Sequence, residues 1–95
     1  MEDQLERKAE FLKALAQPTR LKILNLLKDG ERCVCEIFPA IDGGQSNVSR
    51  HLQTLKRAGI LSSRKEGLRV IYWIRDERIV RVAEALDALV GGLGS

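Results

Sequence analysis

The side chains best suited to specific chemistry lie in two places: a polar stretch from Gln45 to Arg57, and the pair Cys33 and Cys35, one residue apart. At 100° per residue, Ser46, Ser49, Arg50, Gln53 and Arg57 share one side of a helix, opposite Val48, Leu52 and Leu55. Arginine matches the two acceptors of a guanine edge, glutamine matches adenine, and serine adapts to either. Gln45, Ser46 and Asn47 open the helix, where free N–H groups and the positive dipole end favour a phosphate. Lys56 and Arg57 at the far end suit backbone contacts. Beyond them, Arg64, Lys65 and Arg69 form a basic tip that can reach a flanking minor groove or phosphates. Between Arg50 and Arg75, seven Lys and Arg plus His51 stand against one acid, Glu66, although the whole chain carries only +3. This concentration suggests a surface facing a polyanion. A solvated helix face beside an ordinary charged hairpin is the alternative. His51 lies on the flank of the wheel and reads as a boundary residue rather than a ligand.

The cysteines exclude more than they assign. Two are too few for a disulfide scaffold, a bridge between near neighbours would be unusual inside a cell, and zinc-finger spacings are absent. A thiol oxidoreductase would need C-x-x-C beside a βαβ unit. No nucleophile–base pair, phosphate loop or paired catalytic carboxylates occur, so no enzyme is expected.

The elements that must position these groups follow from periodicity. Ninety-five residues allow one domain, 1–95, and 44% apolar with 31% charged residues reads as globular. No apolar run is long enough to span a membrane, and MEDQLERKAE is too charged for a signal peptide, so a cytoplasmic protein is expected. Residues 4–16 place Leu5, Phe11, Leu12 and Leu15 on a helical stripe, and Pro18 opens a second helix carrying Leu21, Ile23, Leu24 and Leu27. A short third helix is predicted over 33–38, cut off by Pro39. Asp42-Gly43-Gly44 is a turn, and the fourth helix runs from Gln45 to Gly59. Strands at 61–65 and 70–74 flank a turn at 66–69. Tyr72 and Trp73 alternate, one to the core and one to the outer face. The last helix is predicted over 76–90, with 90–95 frayed. The order gives a mostly α (α+β) winged helix-turn-helix, with a two-stranded β-hairpin wing. Its first and last helices keep apolar stripes for a homodimer, and a two-fold dimer implies a palindromic operator on double-stranded DNA.

The stretches LKALAQPTRLKILNLLKDGERCVCEI, QSNVSRHLQTLKRAGIL and RKEGLRVIYWI together resemble the ArsR family of metal- and metalloid-responsive repressors, over about residues 8 to 90. The resemblance implies a homodimer that represses an operon and leaves DNA when an inducer binds. It maps the recognition helix onto Gln45 to Leu55 and the sensor onto Glu31-Arg32-Cys33-Val34-Cys35-Glu36-Ile37. Two departures matter. Phe38 stands where the arsenite-sensing branch has a third cysteine, and the last helix carries Asp76, Glu84 and Asp87 without the histidine of the zinc-sensing branch. A dithiol still suits a soft, thiophilic ion such as As(III), completed by another ligand, with no cofactor required. If both cysteines were helical they would point about 200° apart. Chelation would then unwind the start of the third helix, where Pro39 already leaves the Cys35 carbonyl without its usual donor. A redox switch through the same thiols, two inert cysteines, and a winged helix used only for protein contacts remain open.

Overall fold

The computed structural model describes residues 2–93. Its helices are α1 (Glu2–Leu15), α2 (Pro18–Leu27), α3 (Val34–Ala40), α4 (Gln45–Arg57) and α5 (Glu77–Leu93). Its strands are β1 (Arg32–Cys33), β2 (Leu61–Glu66) and β3 (Arg69–Ile74). They form one antiparallel sheet in the order β1-β3-β2. This is the expected winged helix-turn-helix, with three differences of detail.

The wing has a third strand. Arg32 pairs with Tyr72 and Cys33 with Ile71, so β1 lies along the free edge of β3. Two residues are too few to show the alternation that marks a strand, and only the folded chain brings the edge of β3 within reach. The third helix is displaced: Cys33 precedes it in extended conformation, and it continues through Pro39 to Ala40. Proline removes one hydrogen bond there, the one to the Cys35 carbonyl. Ile37, wholly buried at the centre of α3, and the half-buried Val34 and Phe38 keep the helix on the core despite that loss. Helix α5 stays helical past 90, to Leu93; the expected fraying of 94–95 lies outside the described residues.

Local chemistry explains the boundaries that position the site. Pro18 occupies the first turn of α2, and the Gln17 side chain accepts the Arg20 N–H at 2.9 Å. Gly44, with φ +82°, supplies the left-handed backbone that turns the chain into α4. Gly67, with φ +62°, takes the first central place in the two-residue turn between β2 and β3. The core joins Ile23, Leu24 and Leu27 of α2 to Ile37, to Val48, Leu52 and Leu55 of α4, and to Ile60, Leu61 and Tyr72. Burying each such aliphatic side chain contributes about 1.5–3 kcal/mol, which fixes the rotation of α4 about its axis. Among the described residues, no helix is long and apolar enough to cross a membrane.

Candidate nucleic-acid interface

With Val48, Leu52 and Leu55 buried, the opposite side of α4 faces solvent. Gln45, Ser46, Arg50, Gln53 and Arg57 are exposed there. Asn47 and Ser49 are half-buried, and Asn47 stands over the turn, its amide 2.7 Å from where a Cβ on Gly43 would sit. The Thr54 hydroxyl donates back to the Arg50 carbonyl at 3.0 Å, leaving the Arg50 side chain free to project.

The three wing cations differ in kind. Lys65 and Arg69 are exposed beside the tip. Arg64 is exposed as well, but it is already engaged. It donates to both Glu31 carboxylate oxygens at 2.7 and 2.8 Å, to Glu66 at 2.7 Å, and its guanidinium lies 5.4 Å from the centre of the Trp73 ring. These hydrogen bonds hold the Glu31 carboxyl below its ordinary pKa and raise that of Arg64. Two carboxylates and an aromatic face thus engage the Arg64 guanidinium, whereas Lys65 and Arg69 make no ion pair among the described residues. Of the aromatic pair, Tyr72 enters the core, and Trp73 is half-buried under Arg64.

The thiol pair sits where the wing and the helix-turn-helix meet. Cys33 is buried at the end of β1, and Cys35 is exposed in the first turn of α3. The two sulfurs are joined as a disulfide. The opposed orientation expected of two helical cysteines does not hold, because Cys33 is not helical. It is the N-cap of α3: its sulfur accepts the Cys35 N–H at 3.1 Å, while its own N–H donates to Glu36 at 3.0 Å. The cysteine thus stands where a capping box normally has serine or threonine. The sulfurs meet without any unwinding of α3.

Two contacts at this junction escaped the sequence. Glu31 reaches Arg64 across 33 positions, and Arg20 of α2 donates its Nε–H to His51 Nδ1 at 3.1 Å across 31 positions. No local pattern announces either. Burial, then the charges of Arg20 and Arg50, push the pKa of His51 down. Of the acids Asp76, Glu84 and Asp87, the first precedes α5, and no three His, Cys, Asp or Glu side chains gather among the described residues. Asp76 accepts the Arg78 N–H at 2.8 Å and its guanidinium, which hold the Asp76 carboxyl down to about 2.

Comparison with known proteins bears directly on this arrangement. Residues 17–63, which contain α2, α3, α4 and the turn between them, match the profile of "Bacterial regulatory protein, arsR family". The chain is 42% identical over 88 residues to the uncharacterized HTH-type transcriptional regulator MJ1325 of Methanocaldococcus jannaschii, covering 92% of this chain and 99% of that protein. It belongs to the arsR family. It is therefore a DNA-binding transcriptional regulator and not an enzyme. Other relatives include a cadmium resistance regulatory protein, a CadC homolog, of Staphylococcus aureus (40% over 77 residues, 80% of this chain). The arsenic resistance regulator ArsR1 of Pseudomonas putida is 39% identical over 82 residues, 85% of this chain. This chain spans 64% and 61% of their respective lengths. Among solved structures, the homodimeric winged helix-turn-helix domain of Mb0332 from Mycobacterium bovis superposes with a TM-score of 0.87. It is 36% identical, and the match covers 95% of this chain and 83% of that one. The fold expected for this arsR-family regulator is thus the fold of its relatives.

Proposed function

We propose that this arsR-family regulator is a cytoplasmic, homodimeric repressor that binds a palindromic operator and is released by a thiophilic metal or metalloid ion, As(III) or one like it, at Cys33 and Cys35. The observation that carries the DNA-reading part is the exposed row Ser46, Arg50, Gln53 and Arg57, lying opposite a fully buried aliphatic row on the same helix. Gln45, Asn47 and Ser49 complete that surface, and Lys65 and Arg69 extend it along the wing. Arg64 acts by holding the wing in place. Exposed apolar side chains on the first and last helices, Leu5 and Leu12 of α1 with Val82, Leu86, Leu89 and Val90 of α5, support a dimer built on those faces.

The fit of a thiophilic ion rests on the donor set. Once a reducing thiol supplies two electrons and opens the disulfide, the two adjacent sulfurs form a dithiol, whose thiolates favour soft ions. Among the described residues no three His, Cys, Asp or Glu side chains gather as a ligand cage around the pair. Cys33 and Cys35 would hold such an ion as thiolates, which would change the local structure at the start of α3. The chain converts that local change into an altered DNA surface by two routes. The Cys33 sulfur caps α3, and α3 leads to α4 through Gly43 and Gly44. Cys33 also pairs with Ile71 in the sheet, while Glu31 grips Arg64 in β2. Recognition helix and wing therefore both hang from residues 31–44. A hundredfold loss of DNA affinity needs an inducer preference of only about 2.7 kcal/mol for the released state.

The joined sulfurs favour a second reading, in which oxidation of the two thiols to the disulfide, two protons and two electrons passing to a peroxide or another disulfide, is itself the signal. The deciding experiment holds the operator complex in reducing buffer and adds arsenite or Cd2+. Release of the wild type but not of Cys35→Ser supports ion sensing. Release by peroxide alone, reversed by dithiothreitol, supports the redox reading. If neither treatment releases the protein, the thiol pair is not the sensor.

A further inference from the structure

Alongside the surface that reads bases, a cleft of about 470 Å³ opens between the last turn of α1, the start of α2 and the C-terminal half of α4. Lys13, Arg20 and Arg57 reach it from these three helices, and Thr54 and Glu10 share its walls. Arg20 is the unusual member. Its half-buried guanidinium is fixed by two neutral acceptors, the Ala14 carbonyl at 3.3 Å and His51 Nδ1 at 3.1 Å, and it has no carboxylate partner among the described residues. Because Nδ1 accepts, the imidazole is neutral and carries its proton on Nε2, so His51 offers no negative charge. The only acid in the cleft, Glu10, lies 3.7 Å from Lys13 with both side chains about three-quarters exposed, a pairing of little strength. Arg57 makes no ion pair among the described residues. Three cations thus line one cleft with a single weakly engaged acid, a composition that suits an oxyanion.

The position of the cleft narrows the choice of ligand. On α4, Arg50, Thr54 and Arg57 follow one another at spacings of four and three, so the cleft wall continues the edge of the base-reading row. A phosphate lodged there would belong to the strand bordering the groove that α4 enters.

We propose that Lys13, Arg20 and Arg57 form an oxyanion site that takes a phosphate group at the flank of the recognition helix. The proposal rests on the DNA-binding reading of α4 and extends the contact surface to α1 and α2. Arg20 supplies its remaining Nη N–H groups, held in register by His51 and Ala14. Lys13 and Arg57 supply charge from either side.

The test uses the full chain and a random-sequence duplex, with affinity followed across sodium chloride concentrations. Lys13→Gln is the informative variant, since the Lys13 side chain is exposed and the fold does not depend on it; Arg20→Gln is its companion. Losing one backbone phosphate per protomer lowers the slope of log K against log salt by about 0.9 for each protomer bound. A second arm titrates the DNA-free protein with inorganic phosphate against chloride at constant ionic strength, following the backbone amide signals of residues 13, 20 and 57. Lower slopes in both variants support the site with the DNA backbone as its source. Unchanged slopes together with a saturable phosphate response, lost in Arg20→Gln, support the site with free phosphate as its ligand. A steep wild-type slope, equal slopes in the variants and no phosphate response overturn it, and leave the reading of α4 intact. A wild type with no salt-dependent binding would instead refute the function proposed above.

Discussion

The contrast between Arg64 and Lys65, neighbours on one strand, gives the sharpest test of the interface. Both are cations at the wing, yet Arg64 is engaged by Glu31, Glu66 and the Trp73 ring, whereas Lys65 has no ion pair among the described residues. Lys56, Arg57, Lys65 and Arg69 are then the exposed cations of α4 and the wing assigned to the DNA backbone in each protomer, eight in a dimer. Counterion release predicts a slope of about −7 for log K against log salt, so raising salt fourfold weakens binding about 10⁴-fold. Lys65→Gln removes two contacts per dimer and brings the slope to about −5. Arg64→Gln lowers affinity at every salt concentration, because the wing loses its tie to Glu31, but leaves the slope within about half a unit of the wild type. Fluorescence anisotropy on one duplex, from about 50 to 200 mM salt, reads both variants. A slope loss in Arg64→Gln equal to that in Lys65→Gln would show that Arg64 meets phosphate directly, and the division of labour drawn from its hydrogen bonds would fail.

Other consequences follow from the same contacts. Ile37→Ala, at a wholly buried position in α3, costs about 2–5 kcal/mol in urea unfolding, and a loss under 1 kcal/mol would mean that α3 is not anchored as described. His51 is the only histidine, so its ring can be followed by NMR without ambiguity. Its titration midpoint lies below 6.5 and moves upward in Arg20→Gln. Because the folded protein binds this proton less readily than the unfolded chain, the associated stability is complete above pH 6.5 and falls as pH drops through the folded midpoint. A midpoint at or above 6.5 contradicts the contact with Arg20. Leu86→Asp, on the exposed stripe of α5, converts a dimer to a 10.6 kDa monomer in sedimentation. If the wild type itself sediments at that mass at micromolar concentration, the α1 and α5 faces serve something other than dimerisation.

Much of this protein was legible before folding because its information is local. The burial of Val48, Leu52 and Leu55 opposite Arg50 and Gln53 is encoded within a few turns of one helix, and the glycines at 44 and 67 mark their turns by residue type alone. Element order therefore followed from periodicity, as did the division of α4 into a core face and a solvent face. The errors clustered at the sensor segment. Cys33 reads as helical because the apolar spacing of Val34, Ile37 and Phe38 hides the preceding residue's pairing with Ile71, 38 positions away.

What the tertiary structure alone decided is which charges are spent and which remain available. Arg64, Lys65 and Arg69 are equivalent as sequence, and only the arrival of Glu31 beside the sheet distinguishes them. Arg20 is one more cation on an amphipathic helix until His51 and the Ala14 carbonyl orient it. Such assignments depend on groups 6 to 33 positions apart meeting at hydrogen-bond distance. A hydrogen bond falls away within an ångström, and no residue pattern along the chain records which distant partner will come that close.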